Sequence, residues 1–432
     1  MRVALASMLG TTGLCRVRRA SVAVLAFALA AGMATPAPAA LGHSNGTTAA
    51  VTVGRMPSPT SSEAAPKVIF DGDVGPDPCD FSTLAMLHNL HDTGEINLLG
   101  IMATMPERSN VEVVDVFNQW YGHRIPISTF KDPSDKGYDR YVKPSSEVAH
   151  AMFPASRTIA ARYASWNPRT FDQVPNSVGL YRKMLAGQQD HSVTIMTAGQ
   201  LFNLKALLNS GPDAYSPLTG MQLVRAKVSR FVMMMGAFGK PLTAADLAYY
   251  EAEYNNNPPN TFFPLAVSQH ASTSNGVGAE YNAHAWYPGL TQAVFEKLDQ
   301  LPIPKTFVGN EQGWRVPAGE AYNKLALHHP VRMGYYVNNI ASNPLQPGVA
   351  KTDPAYDEIA LLYLARGRGR FFNVHNGRAT FESSGTSTWT NDPDSRDVRL
   401  TLAPGVNQDH SLTRLVERLV MGHPATWQAP SK

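Results

Sequence analysis

Cysteine is nearly absent: the 432 residues hold two, Cys15 and Cys79. Cys15 falls in a segment read below as removed on export, which would leave one thiol and no internal disulfide. Charge is sparse, at 16% of residues, and what there is nearly cancels. Residues 1–39 carry Arg2, Arg16, Arg18 and Arg19 with no acid, so subtracting those four from the formal +3 leaves −1. With no basic excess there is no electrostatic footing for a phosphate backbone, and nucleic acid is disfavoured as a partner. No apolar run reaches the roughly 20 residues of a membrane span. A convincing phosphate-loop glycine pattern is missing, and no repeat or low-complexity run follows residue 66.

Apolar side chains, at 44%, are plentiful enough for a large core, which excludes disorder over most of the length. The N-terminus has a basic region ending at Arg19, an apolar run from Val22 to Met33, and Ala37-Pro38-Ala39 before Ala40. That order predicts a cleaved signal peptide over 1–39, no stable membrane anchor after cleavage, and a secreted or periplasmic product. Arg18-Arg19 leaves Sec and twin-arginine export both open. Residues 40–66, rich in Ala, Ser, Thr, Gly and Pro, read as a flexible lead-in to one domain over 67–432.

From Lys67 onward, strand-length apolar runs alternate with helical spacings. Val68 to Phe70 precedes Phe81, Leu84, Leu87 and His88; Ile96 to Met102 precedes Val111, Val114, Phe117 and Tyr121. The rhythm returns as Val193 to Met196, Leu201 to Leu208, and Phe231 to Met235. Continuous apolar strands each followed by a helix predict an α/β fold, an open, mostly parallel Rossmann-like sheet with helices on both faces. Residues 131–175 read as a lid or an extra helical layer. Past Phe371, short alternating segments such as Phe372 to Val374 and Thr380 to Glu382 predict a small antiparallel C-terminal appendage.

Asp71-Gly72-Asp73-Val74-Gly75-Pro76-Asp77-Pro78-Cys79-Asp80 follows the first strand and opens the first helix. Acids placed there sit at the carboxyl ends of parallel strands, where ligands bind in such sheets. Gly75, Pro76 and Pro78 are turn formers that fold the loop back and crowd like charges together. A cation offsets that cost, and several oxygen donors favour Ca²⁺ or Mg²⁺; a solvated acidic loop is the plain alternative.

This segment resembles the N-terminal motif of the inosine-uridine preferring nucleoside hydrolases, and four further segments follow in that family's order. They are Ile195-Met196-Thr197-Ala198-Gly199-Gln200-Leu201-Phe202-Asn203-Leu204, then Phe231 to Phe238 with Glu253-Tyr254-Asn255. Phe307-Val308-Gly309-Asn310-Glu311-Gln312-Gly313 and Tyr356-Asp357 before Ala360-Leu361-Leu362-Tyr363 complete the set. The resemblance implies a Ca²⁺-dependent N-ribohydrolase that splits purine and pyrimidine nucleosides into ribose and base. It implies calcium ligands at Asp73, Asp80, the Ala198 carbonyl and Glu311, and ribose contacts at Cys79, Glu253, Asn255 and Glu311. Asp73 is then the general base, and Asp71 and Asp77 support the loop. A homo-oligomer is compatible with this reading.

Three departures stand out against that family. Cys79 replaces an Asp that contacts ribose, Asn310 replaces a His that protonates the leaving base in one branch, and Asn256-Asn257-Pro258-Pro259 replaces an Asp-Pro helix start. They motivate a second reading, a weakened riboside-binding or protein-interaction member of the same fold. A nucleophilic Cys79 is disfavoured, since surrounding acids raise a thiol pKa. His88 and His91 read as helix-surface or core residues, Met233 to Met235 as buried strand, and Trp314 and Tyr254 as either base-stacking or packing rings. A third reading takes Asp71-x-Asp73 as the acid pair of a haloacid-dehalogenase-type phosphatase, but Gly75 stands where that motif wants Thr or Val.

Overall fold

In the computed structural model of the chain, residues 64–132, 153–239, 280–284, 289–342 and 352–422 are described. The predicted signal and nearly all of the lead-in, and the predicted ribose contacts Glu253 and Asn255, lie outside them, as does Tyr254.

Among the described residues there are eleven strands: β1 Lys67–Gly72, β2 Asn97–Ala103, β3 Ile127–Thr129, β4 Val193–Ala198, β5 Val228–Met234, β6 Lys305–Val308, β7 Pro317–Ala318, β8 Asp353–Pro354, β9 Phe372–Phe381, β10 Ser387–Asn391 and β11 Val398–Leu402. Among the described residues the helices are α1 Cys79–Asp92, α2 Arg108–Trp120, α3 Pro154–Arg162, α4 Ser177–Ala186, α5 Phe202–Asn209, α6 Gly220–Lys227, α7 Tyr281–His284, α8 Leu290–Leu298, α9 Asn310–Gly313, α10 Pro330–Ser342, α11 Tyr356–Arg366 and α12 Ser411–Met421. None of them is long and apolar enough to cross a membrane.

Nine strands form one sheet in the order β10-β9-β11-β6-β5-β4-β1-β2-β3. From β3 to β11 every pairing is parallel; β9 and β10 add antiparallel strands at one edge. The expected α/β class and antiparallel C-terminal segment are both present. That segment is continuous with the sheet, because β11 turns back to pair in parallel with β6.

Burial on both faces explains the apolar strands. Val68 and Phe70 of β1, with Val232 and Met234 of β5, enter a core shared with α1, α2, α11 and α12. The alternate residues Ile69, Phe231 and Met233 enter a second core with α4, α5 and α8. The strand period of two assigns each side chain to its face. Met233, Met234 and Met235 are buried, as their strand reading requires. Helix α1 is buried from Cys79 to Leu90, because α10, α11 and α12 pack around it while it lies over the sheet. The described part of residues 131–175 is helical: α3 packs on α2 and α10.

Strand order reverses at β1, whose connection leads to β2 on one side while β4 joins it on the other. A crevice opens at such a switch point outside the carboxyl ends of the strands. Gly72 pairs with Ala198 there, so the segments after β1 and β4 leave the sheet side by side.

Candidate active site

The acidic loop is held by its own backbone. Gly75 takes φ +119°, a conformation L residues rarely adopt, and its N–H donates to Asp80 Oδ2 at 2.8 Å. Asp77 N donates to the same oxygen at 3.4 Å, and Cys79 N donates to Asp77 Oδ1 at 3.1 Å. The loop therefore closes over the first turn of α1, with Asp80 inside that turn.

Asp73 docks on the neighbouring strand end. Its N–H donates to the Ala198 carbonyl at 3.1 Å, and Gln200 Nε2 donates to its Oδ2 at 3.1 Å. Gly199 permits this approach, since a Cβ there would stand 2.6 Å from Asp73 N. Asp71 has the strand parity of Ile69 and points to the other face, where Tyr181 Oη and Asn203 Nδ2 each donate to it at 2.8 Å. Both of its oxygens are thereby engaged, so it orients the loop and is not a free nucleophile. The phosphatase reading loses its key residue.

Glu311, on α9 just past β6, accepts from Phe238 N at 3.2 Å and from Gln312 Nε2 at 3.1 Å. Cβ atoms at Gly239 or Gly309 would collide with its side chain, so two glycines clear its place. Glu280, which sequence reasoning missed, accepts from the backbone of Gly236, Asn282 and Ala283. Burial, with the charge of Glu311 adding to it, pushes Glu280 up to about 7. Glu280 in turn acts on Asp73 and Asp357, which places the β5 and β6 ends on the same crevice as the loop.

Asp353, Asp357 and Glu358 also face this region, and no site role had been read for them. Among the described residues, the donor groups gathered within 4.8 Å of one another are Asp77, Cys79 and Asp353, and Cys79, Asp80 and Asp357. Asp73 and Glu311 belong to neither group. Burial drives Asp73, Asp80 and Asp357 well above the usual carboxylate range, and the charges of nearby acids, Asp77 foremost, drive them further. Burial and the charges of Asp77 and Asp357 also push the Cys79 thiol up, the opposite of activation for a nucleophile.

No ion pair joins these acids to Lys, Arg or His among the described residues. Buried carboxylates without a counter-charge fit a hard divalent cation, which lets them ionise near neutral pH.

Other candidates resolve to structure. Trp314 is fully buried and donates Nε1 to Tyr356 Oη at 2.5 Å, so its ring is packing and not a platform for a base. His88 Nδ1 lies 2.8 Å from His123 Nδ1, and His123 pairs with Asp92. His88 is nine residues into α1, about 14 Å along the axis from the acidic end.

No profile of a known protein family matches the sequence, and neither does any curated protein. Solved structures do. An inosine-uridine preferring nucleoside hydrolase from Bacillus anthracis superposes with TM-score 0.51 at 14% identity, over 82% of this chain and 99% of that one. The fold is that of the nucleoside hydrolases. A plant nucleoside hydrolase shares it with TM-score 0.51 at 12% identity, over 82% of this chain and 98% of its own. The type III effector XopQ, solved with adenosine diphosphate ribose, gives 0.52 at 16% identity over 83% and 94%. This nucleoside hydrolase fold puts the acidic loop, the Ala198 turn and the Glu311 turn at the carboxyl edge of one parallel sheet.

Proposed function

We propose that the protein is an exported, Ca²⁺-dependent N-ribohydrolase that cleaves the N-glycosidic bond of nucleosides to give ribose and free base. One observation carries the reading: Asp73 and Asp80 are both held in the loop that leaves β1 at the strand switch point, with the Asp73 N–H seated on the Ala198 carbonyl. Asp73, Asp80, the Ala198 carbonyl and Glu311 would hold the cation. When bound, calcium supplies Lewis acidity and a grip on vicinal hydroxyls.

The remaining chemistry belongs to the chain. Asp73, steadied by Gln200, takes the proton of the attacking water at its carboxylate. The crowd of carboxylates favours the positive charge that grows on the sugar as the base departs. Asp71 keeps the loop in register through Tyr181 and Asn203. Glu253 and Asn255 would take the ribose hydroxyls.

The test is a reducing-sugar assay with inosine, uridine, adenosine and adenosine diphosphate ribose, with calcium and after chelation. Ribose release that needs calcium and disappears in Asp73→Ala supports hydrolysis. Riboside and calcium binding with no release from any substrate favours the second reading, a binding protein on the same fold, which Cys79 and Asn310 motivate.

A further inference from the structure

We propose that Cys79, Asp77 and Asp353 form a second cation site, adjoining the oxygen-donor site of Asp73 and Asp80, that takes a thiophilic divalent ion such as Zn²⁺. The sulfur of Cys79 and carboxylate oxygens of Asp77 and Asp353 all lie within 4.8 Å of one another. Ligand atoms around a tetrahedral zinc stand about 3.5 Å apart, so small side-chain rotations close the set.

A second observation, of hydrogen bonding rather than proximity, also points to a ligand. Asp353 is 6% exposed, and its Oδ2 is buried with no hydrogen-bond partner. Buried acceptors of this kind are costly unless something positive meets them. The backbone of Asp353 is held opposite Ala318 by the pairing of β8 with β7.

Donor chemistry separates this site from the first. Calcium takes hard oxygen ligands, whereas a thiolate selects zinc, cadmium or cobalt. Asp80 and Asp357 also approach the Cys79 sulfur, which leaves one soft donor ringed by acids. On binding, the S–H bond breaks, its proton passes to solvent, and a metal–sulfur bond forms; no electron changes hands and no oxidant is needed.

The experiment is a Co²⁺ titration of the metal-free full chain carrying Cys15→Ser, which leaves Cys79 as the sole thiol, in the presence of excess Ca²⁺. The expected result is one cobalt per chain with a near-ultraviolet thiolate-to-cobalt charge-transfer band. Cys79→Ser should abolish the band. Asp353→Asn should weaken cobalt binding by at least about tenfold, the loss seen even for outer partners of a metal. If Cys79→Ser fails to fold by circular dichroism, the parent band and Asp353→Asn still decide. Absence of the band at saturating cobalt, its erasure by excess calcium, or undiminished binding in Asp353→Asn overturns the proposal. Ribose release is scored separately, so failure of this site and failure of the hydrolase reading are told apart.

Discussion

Gly75→Ala tests whether the acidic loop is built around a backbone shape. At φ +119° an added Cβ costs about 1–3 kcal/mol of backbone strain. It would also meet the buried Asn110 Oδ1 at 2.7 Å and Phe153 Cδ1 at 3.1 Å, and collide with Ser156 Oγ, an overpacking of about 1–3 kcal/mol. Moving the loop away breaks the buried Gly75 N–H bond to Asp80, about 1–3 kcal/mol for a buried group left unsatisfied. One shift relieves part of each, so the expected net loss is about 3–5 kcal/mol, near the upper end for a point mutation. Gly94→Ala is the control: it has φ +70° with nothing within 4 Å, and should cost only about 1–2 kcal/mol. Urea denaturation of both variants, with calorimetric calcium titration, reads the difference. A Gly75→Ala protein as stable as Gly94→Ala, with calcium affinity intact, would refute the reasoning.

Glu358 is raised by burial from 4.5 to about 8, so the folded chain keeps a proton that the unfolded chain releases. Its stabilising contribution is complete below pH 4.5 and is lost as pH rises to about 8, by up to about 5 kcal/mol at roughly 1.4 kcal/mol per pH unit. Glu358→Gln should flatten that part of the metal-free stability profile; parallel curves for the two proteins would contradict it. Tyr181→Phe removes a donor 2.8 Å from buried Asp71, whose own pKa burial lifts to about 7. The expected loss is about 1.5–3 kcal/mol at pH 8, where the carboxylate is charged, and less at pH 5, as urea titrations at the two pH values will show. Cys79→Asp should raise the rate of calcium-dependent ribose release, and a folded, calcium-binding variant slower than its parent would count against the role assigned to that position.

What could be read from residue order alone was whatever local physics fixes. Val68 to Phe70 and Phe231 to Met235 announce themselves because parallel strands buried on both faces must be apolar at every position. The loop from Asp71 to Asp80 is legible because its glycine, prolines and acids are contiguous. Gln200 and Asn203 likewise sit inside a segment whose order already suggested a strand-to-helix turn. Tertiary structure alone decided the rest. Glu280 stands alone in the sequence, and Asp353 and Glu358 carry no motif of their own; they join the crevice only because the end of β5, β8 and the start of α11 meet there. The return of β11 to pair in parallel with β6 is equally invisible in short alternating segments. Side-chain period and turn chemistry act over a few residues, whereas which strand ends and helix starts share a crevice is set by sheet order, and that emerges only when distant segments compete to bury the same apolar surface.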